Sequence, residues 1–264
     1  MKMKRFGVIL LIALLAVLLT ACTGATQSNS WSGVLLTEEY VYYAGGNLVT
    51  ALRADSGNIA WQYPEKTSAQ RLFYAEPVLV GDQLIVVDYD KKLTSLNAQT
   101  GAETWQFDDA AGRYIDSPVV VNNLIIAPNT DHFIYALDLS GNLVWSFEAD
   151  QALWARAASD GETIYFPSMD RNLYALDAAT GELKWKSELG ASAVSRPLLE
   201  NGVIYLGNLD STFFAFNAAD GKLIWEQKVG GGVWAKPILY EGNLYFGDQT
   251  GRINILNSAD GKSV

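Results

Sequence analysis

The chain has 264 residues, 49% of them hydrophobic and only 18% charged, ample for a large core. Its 29 acidic residues against 19 Lys and Arg give a net charge of −10, which argues against a nucleic-acid partner and against a broad electrostatic grip on anionic lipid. The single cysteine, Cys22, excludes an intrachain disulfide and leaves the rest of the chain without thiol chemistry.

At the N-terminus, Lys2, Lys4 and Arg5 precede an uncharged apolar run from Phe6 to Ala21. This is the pattern of a secretory signal, and it is short for a spanning helix. The run ends in Leu19-Thr20-Ala21-Cys22, which resembles the bacterial lipobox. That resemblance implies lipidation at Cys22; a plain membrane anchor or an ordinary signal peptide are the alternatives. Loss of residues 1–21 removes three cations and no anion, so the net charge becomes about −13. Thr23 to Ser30 is small and polar, suited to a flexible tether. By the usual sorting rule for lipoproteins, Thr23 after the cysteine implies the periplasmic face of the outer membrane in a two-membrane cell. In a single-membrane cell the outer face of the cytoplasmic membrane is implied. The expected organisation is therefore a signal over 1–21, a lipidated tether over 22–31 and one folded domain over 32–264.

A phrase then recurs through the remaining chain, seen most cleanly from Tyr174 to Trp185 (YALDAATGELKW). Its turn glycines are Gly57, Gly101, Gly141, Gly181, Gly221 and Gly261, spaced 44, 40, 40, 40 and 40. A period held this tightly means a repeat architecture. Within the phrase, Leu173 and Ala175 alternate with Tyr174 and Leu176, which predicts a half-buried strand. Asp177 or its Asn counterparts can accept bonds from the backbone ahead, and the glycine supplies a positive φ. The next strand carries Trp61, Trp105, Trp145, Trp185 or Trp225, one per repeat, read here as structural docking residues rather than ligand contacts.

Twenty residues before each turn Asp or Asn stands a second mark: Pro77, Pro118, Ala157, Pro197 and Pro237, with Gly33 in the first repeat. A short apolar strand follows, then turns such as Gly81-Asp82, Asn122-Asn123, Asn201-Gly202 and Glu241-Gly242, which are hairpin signals. Four short strands in about 40 residues is the signature of a propeller blade. The predicted fold is all-β, a β-propeller of four-stranded antiparallel blades with six repeats visible. The sixth phrase stops at Val264, one position before its Trp, so the expectation is an incomplete last blade and a fragment of a larger propeller, with a closed six-bladed ring as the alternative.

The phrase A-L-D-A-x-T-G-x-x-x-W closely resembles the tryptophan-docking repeat of the PQQ-type (pyrroloquinoline-quinone) β-propellers. The resemblance covers nearly everything after the tether. It specifies fold more than activity, because many relatives bind no quinone. The quinoprotein dehydrogenases of that family carry an adjacent cysteine pair, which this chain cannot supply, and a calcium site. Asp88, Asp90, Asp108 and Asp109 are candidate oxygen ligands for a hard cation. Asp90, however, has counterparts at Asp131, Asp170 and Asp210 and reads as a turn residue. The combination of lipobox, tether and propeller is similar to the BamB-type scaffold lipoproteins of outer-membrane protein assembly. That likeness implies a non-enzymatic protein with a protein or peptide partner in the cell envelope, no cofactor, and attachment to the membrane through Cys22. A quinone- or sugar-binding propeller, or a quinoprotein-type dehydrogenase relative, is the alternative.

Catalytic constellations are missing from the sequence. His132, the lone histidine, sits in a turn where other repeats place Lys91, Arg171 or Ser211. Zinc lacks ligands, and Gly230-Gly231-Gly232 opens no helix. The informative positions are those where repeats differ. Before the second mark stand Glu76, Ser117, Arg156, Arg196 and Lys236, with Tyr114, Trp154 and Trp234 earlier in the same loops. Trp154, Arg156, Arg196, Trp234 and Lys236 are the candidate partner-binding residues, because Arg and Trp are typical interface anchors. The competing expectation is that the tryptophans pack between blades and the cations pair with local acids.

Overall fold

The computed structural model describes residues 33–264; the expected signal over 1–21, Cys22, the expected tether over 22–31 and Trp31 lie outside the described residues. Every named element is a β-strand. Five four-stranded sheets and one three-stranded sheet follow one another, each antiparallel with its strands in chain order. The chain is a β-propeller, with blades spanning 33–63, 78–107, 119–148, 158–188, 198–228 and 238–257.

Turn chemistry sets each hairpin. Asn122 and Asn123 both have positive φ (49° and 63°), as do Asn201 and Gly202 and likewise Glu241 and Gly242. These are two-residue turns whose twist matches that of the flanking strands. In the outer hairpin of the fourth blade, Asp177 Oδ1 accepts the N–H groups of Ala179 and Thr180 at 3.0 Å each. A register shift follows one strand residue later in each of the first five blades. There a small residue, Ala51, Ser95, Ala136, Ala175 or Ala215, lies opposite the repeat tryptophan. The bulge strengthens the local twist and re-aims the large side chain, while the small partner leaves room for it.

The third strand of the fourth blade, Asn172–Asp177, corrects the half-buried expectation. Leu173, Tyr174, Ala175 and Leu176 are all buried, on both faces of the sheet. Alternation decides which side chain points to which face, and in a propeller another blade covers each face. One core cluster joins Ile126, Ile134 and Trp145 of the third blade to Ile164, Phe166 and Tyr174 of the fourth. The next joins Tyr165 and Leu173 of the fourth to Ile204, Leu206 and Phe214 of the fifth.

The first blade also departs from the predicted register. Leu35 lies opposite Tyr42, as Val78 lies opposite Ile85, so the first strand is displaced by one residue from the count that marked Gly33. The cause is the second turn, where four residues separate Ala44 from Val49 but five separate Val87 from Leu93. A one-residue displacement exchanges the faces of a strand, and it turns Val34 and Leu36 away from the second blade. The sixth blade has three strands, and beyond them Ser263 makes a single bridge to Leu256.

Candidate functional site

Two sets of residues repeat around the blades, one at the outer hairpins and one at the start of the inner strands. At the outer hairpins each indole donates to a backbone oxygen of the following blade. Trp61 reaches Ala98, Trp105 Leu139, Trp185 Ala218 and Trp225 Ser258, all at 3.0 Å, and Trp145 reaches Ala178 at 3.2 Å. The ring lies on the turn glycine of that blade. A Cβ on Gly181 would stand 2.6 Å from Trp145, and the same holds in kind at Gly101, Gly141, Gly221 and Gly261. Each indole N–H thereby bridges two neighbouring blades.

The inner set is electrostatic. Arg156, Arg196 and Lys236 line one cavity of about 540 Å³, together with the inner strands of the third, fourth and fifth blades. Arg196 grips Asp116 with two donors: Nε to Oδ2 at 2.7 Å and Nη2 to Oδ1. Asp116 Oδ2 also accepts the Arg156 backbone N–H at 2.8 Å. Glu76 Oε2 lies 3.9 Å from Nη1 of both arginines, so one carboxylate serves two cations. Burial opposes the charge on Arg196, but the bonds to Asp116 outweigh it and hold the guanidinium above its usual pKa. Arg156 goes the other way: burial first, and the neighbouring Arg196 charge second, pull its pKa below the ordinary value despite Glu76 and Asp116. Lys236 is exposed and has no ion pair among the described residues.

The three cations therefore meet around one cavity, and two of them pair with acids. Neither Trp154, which is half-buried, nor Trp234, which is 40% exposed, is among the cavity's lining residues. Asp116 organises the network and went unmarked in the sequence reading. Its signal is a departure from the small residues that the second, fourth, fifth and sixth blades carry two residues before the mark, Ala75, Ala155, Ser195 and Ala235.

The acidic residues singled out in the sequence do not gather into a calcium-ligand set. Asp88 is buried, with Oδ2 on Arg71 Nε at 2.7 Å and Oδ1 accepting the Lys92 N–H at 3.0 Å. Asp90, Asp108 and Asp109 are exposed. Among the described residues no group of three or more His, Cys, Asp or Glu is placed to hold a metal ion. His132 adopts a positive φ of 81° in its turn. The adjacent Asp131 is occupied by the Ala111 N–H at 2.7 Å and the Tyr135 hydroxyl at 2.8 Å. A second cavity of about 500 Å³ lies between the fourth and fifth blades. Its polar groups serve one another: Tyr165 donates to Asp160 at 2.8 Å, and Lys184 to Thr163 Oγ1 at 2.8 Å.

Comparison with known proteins adds a family. The family model described as "Outer membrane protein assembly factor BamB" matches residues 17–146 and 130–264. A curated outer membrane protein assembly factor BamB from Legionella pneumophila (strain Paris) is 28% identical over 118 residues, 40% of this chain and 30% of that protein. The chain thus spans less than a third of that relative in the match. Among solved structures, BamB from Moraxella catarrhalis superposes with a TM-score of 0.75 at 18% identity, covering 87% of this chain and 70% of the other. The computationally designed Ika8 protein gives the same TM-score, 0.75, at 11% identity, covering 89% and 74%. At such identities these two likenesses speak to the fold alone.

Proposed function

This chain belongs to the family described as outer membrane protein assembly factor BamB, and we propose that it is a non-enzymatic envelope scaffold. In this reading residues 1–21 are a signal, Cys22 carries the lipid, residues 22–31 are the tether, and the propeller from residue 32 holds a protein or peptide partner in outer-membrane protein assembly. The observation that carries the reading is the cluster of Arg156, Arg196 and Lys236 around one cavity on a chain of net charge −10. With Asp116 and Glu76 set against Arg156 and Arg196, Lys236 is the surplus cation of the cluster, and such a charge on an acidic molecule favours one orientation of an acidic partner. Trp154 and Trp234 flank the site in sequence and are the aromatic anchors of the proposed surface.

Pull-down from membranes tests the surface, comparing wild type with Lys236→Glu and with the triple reversal of Arg156, Arg196 and Lys236. Lys236→Glu leaves the Asp116 network untouched, so its melting temperature should match wild type while partner recovery falls. The same partners recovered in the same amounts with both variants would remove the surface. Titration calorimetry with PQQ and calcium addresses the dehydrogenase alternative: saturable binding would overturn the scaffold reading.

A further inference from the structure

Arg156 and Arg196 stand at the same register, one residue before the second mark of the fourth and fifth blades, and only one of them has a fitted partner. Arg196 presents Nε and Nη2 to the two oxygens of Asp116, the paired geometry in which a guanidinium holds a carboxylate most firmly. The Arg156 side chain makes no hydrogen bond among the described residues. Glu76 lies 3.9 Å from its Nη1 and is shared with Arg196. The repeat explains the difference. Asp116 lies two blades before Arg196 and two residues before its own mark; the same step back from Arg156 arrives at Ala75, a methyl group. The blades thus supply a fitted carboxylate for one guanidinium and none for the other.

The surroundings define the chemistry that Arg156 would accept. Arg156, Arg196 and Lys236 line the cavity, while Asp116 and Glu76 are the two carboxylates set against them, so one positive charge is left over. One surplus charge suits a monoanion, and the planar guanidinium fork suits a planar carboxylate. Beside the cations the wall is aliphatic, with Val119, Val121, Ala157, Pro197 and Leu198. The cavity's volume of about 540 Å³ falls within the range of small-molecule sites, about 300–1,000 Å³. We propose that this cavity binds a monocarboxylate carried on an apolar body. The two oxygens lie on the Arg156 guanidinium, Lys236 balances the charge, and the aliphatic part packs on the inner strands of the third to fifth blades. A free small acid and the last residue of a peptide share this chemistry. The inference deepens the scaffold reading, on which it rests for the site, by naming what the site takes.

Titration calorimetry of the full chain in detergent at low salt tests this, with N-acetyl-leucine, its neutral amide and inorganic phosphate as probes. N-acetyl-leucine should bind saturably, and the amide and phosphate each about tenfold more weakly or less. Arg156→Lys keeps the charge but loses the planar fork, and Arg156→Gln loses both. Each should weaken N-acetyl-leucine by about tenfold or more, with a melting temperature no lower than that of wild type, because the Arg156 side chain makes no hydrogen bond to lose. Acetyl-alanyl-alanyl-leucine separates the two sources: tighter binding than N-acetyl-leucine assigns the cavity to a peptide end, and equal or weaker binding assigns it to a free acid. No saturable binding of N-acetyl-leucine, equal binding of its amide or of phosphate, or full affinity in Arg156→Lys would each overturn the proposal. Partner loss in Lys236→Glu without any binding of N-acetyl-leucine would sink the carboxylate inference alone and leave the scaffold reading standing.

Discussion

The outer hairpins and the inner lip, where each blade's first strand begins, each recur at equivalent positions of the same repeat, yet one is nearly invariant from blade to blade and the other is not. At the outer hairpins the same three parts recur: an indole, a turn glycine and a carbonyl of the next blade, at 3.0–3.2 Å in all five cases. At the inner lip the equivalent positions carry Glu76, Ser117, Arg156, Arg196 and Lys236, and of these Glu76, Arg156 and Arg196 interact across blades around Asp116. An interface needed at every joint has one solution, repeated. A surface that lines a cavity is free of that demand, so the differences accumulate there, and the difference between blades is the informative part.

Removing an indole should give the largest effect. Trp145 is buried, and Trp145→Ala should cost about 3–5 kcal/mol in urea unfolding, through lost burial and the cavity left between the third and fourth blades. A loss under about 1 kcal/mol would mean that the strands, and not the docks, hold the blades together.

The glycines sharpen the comparison within the outer set. Gly181 and Gly57 have nearly the same φ, +74° and +70°, but only Gly181 lies under an indole. An alanine at either pays about 1 kcal/mol or a little more for the left-handed backbone. At Gly181 the new Cβ also meets Trp145 at 2.6 Å, against ring atoms rather than a flexible chain end. Gly181→Ala should therefore destabilise by about 2–4 kcal/mol and Gly57→Ala by about half that or less. Equal losses would show that conformation alone selects glycine at these turns.

These examples also show what the sequence could convey. Turn glycines, Asx residues and one Trp per repeat are local chemistry at fixed spacing, so the blades and their number of repeats were legible. The burial of both faces of Asn172–Asp177 was not, because alternation assigns faces without saying what covers them. The one-residue shorter turn between Ala44 and Val49 was hidden as well, since counting back from Arg53 assumes constant spacing. Asp116 escaped because its main partner, Arg196, is 80 residues away and two blades on.

Asp116 gives the smallest effect and the clearest contrast. Asp116→Asn keeps the shape but removes the charge that holds Arg196 and caps the Arg156 N–H, leaving two guanidinium groups to share Glu76 at 3.9 Å. Both arginine side chains remain about a third exposed, 29% and 34%, so solvent screens part of the loss. The expected cost is about 1–2 kcal/mol at low salt. Its origin in repulsion between Arg156 and Arg196 makes it salt-sensitive, since the screening length shortens to about 3 Å at 1 M. Unfolding in urea at low and at 1 M sodium chloride should thus show the Asp116→Asn deficit shrinking with salt, while that of Trp145→Ala holds. A deficit indifferent to salt would mean that Asp116 acts at the lip by shape and hydrogen bonding, as the indoles do at the outer hairpins, and that the two regions differ less in kind than their sequences suggest.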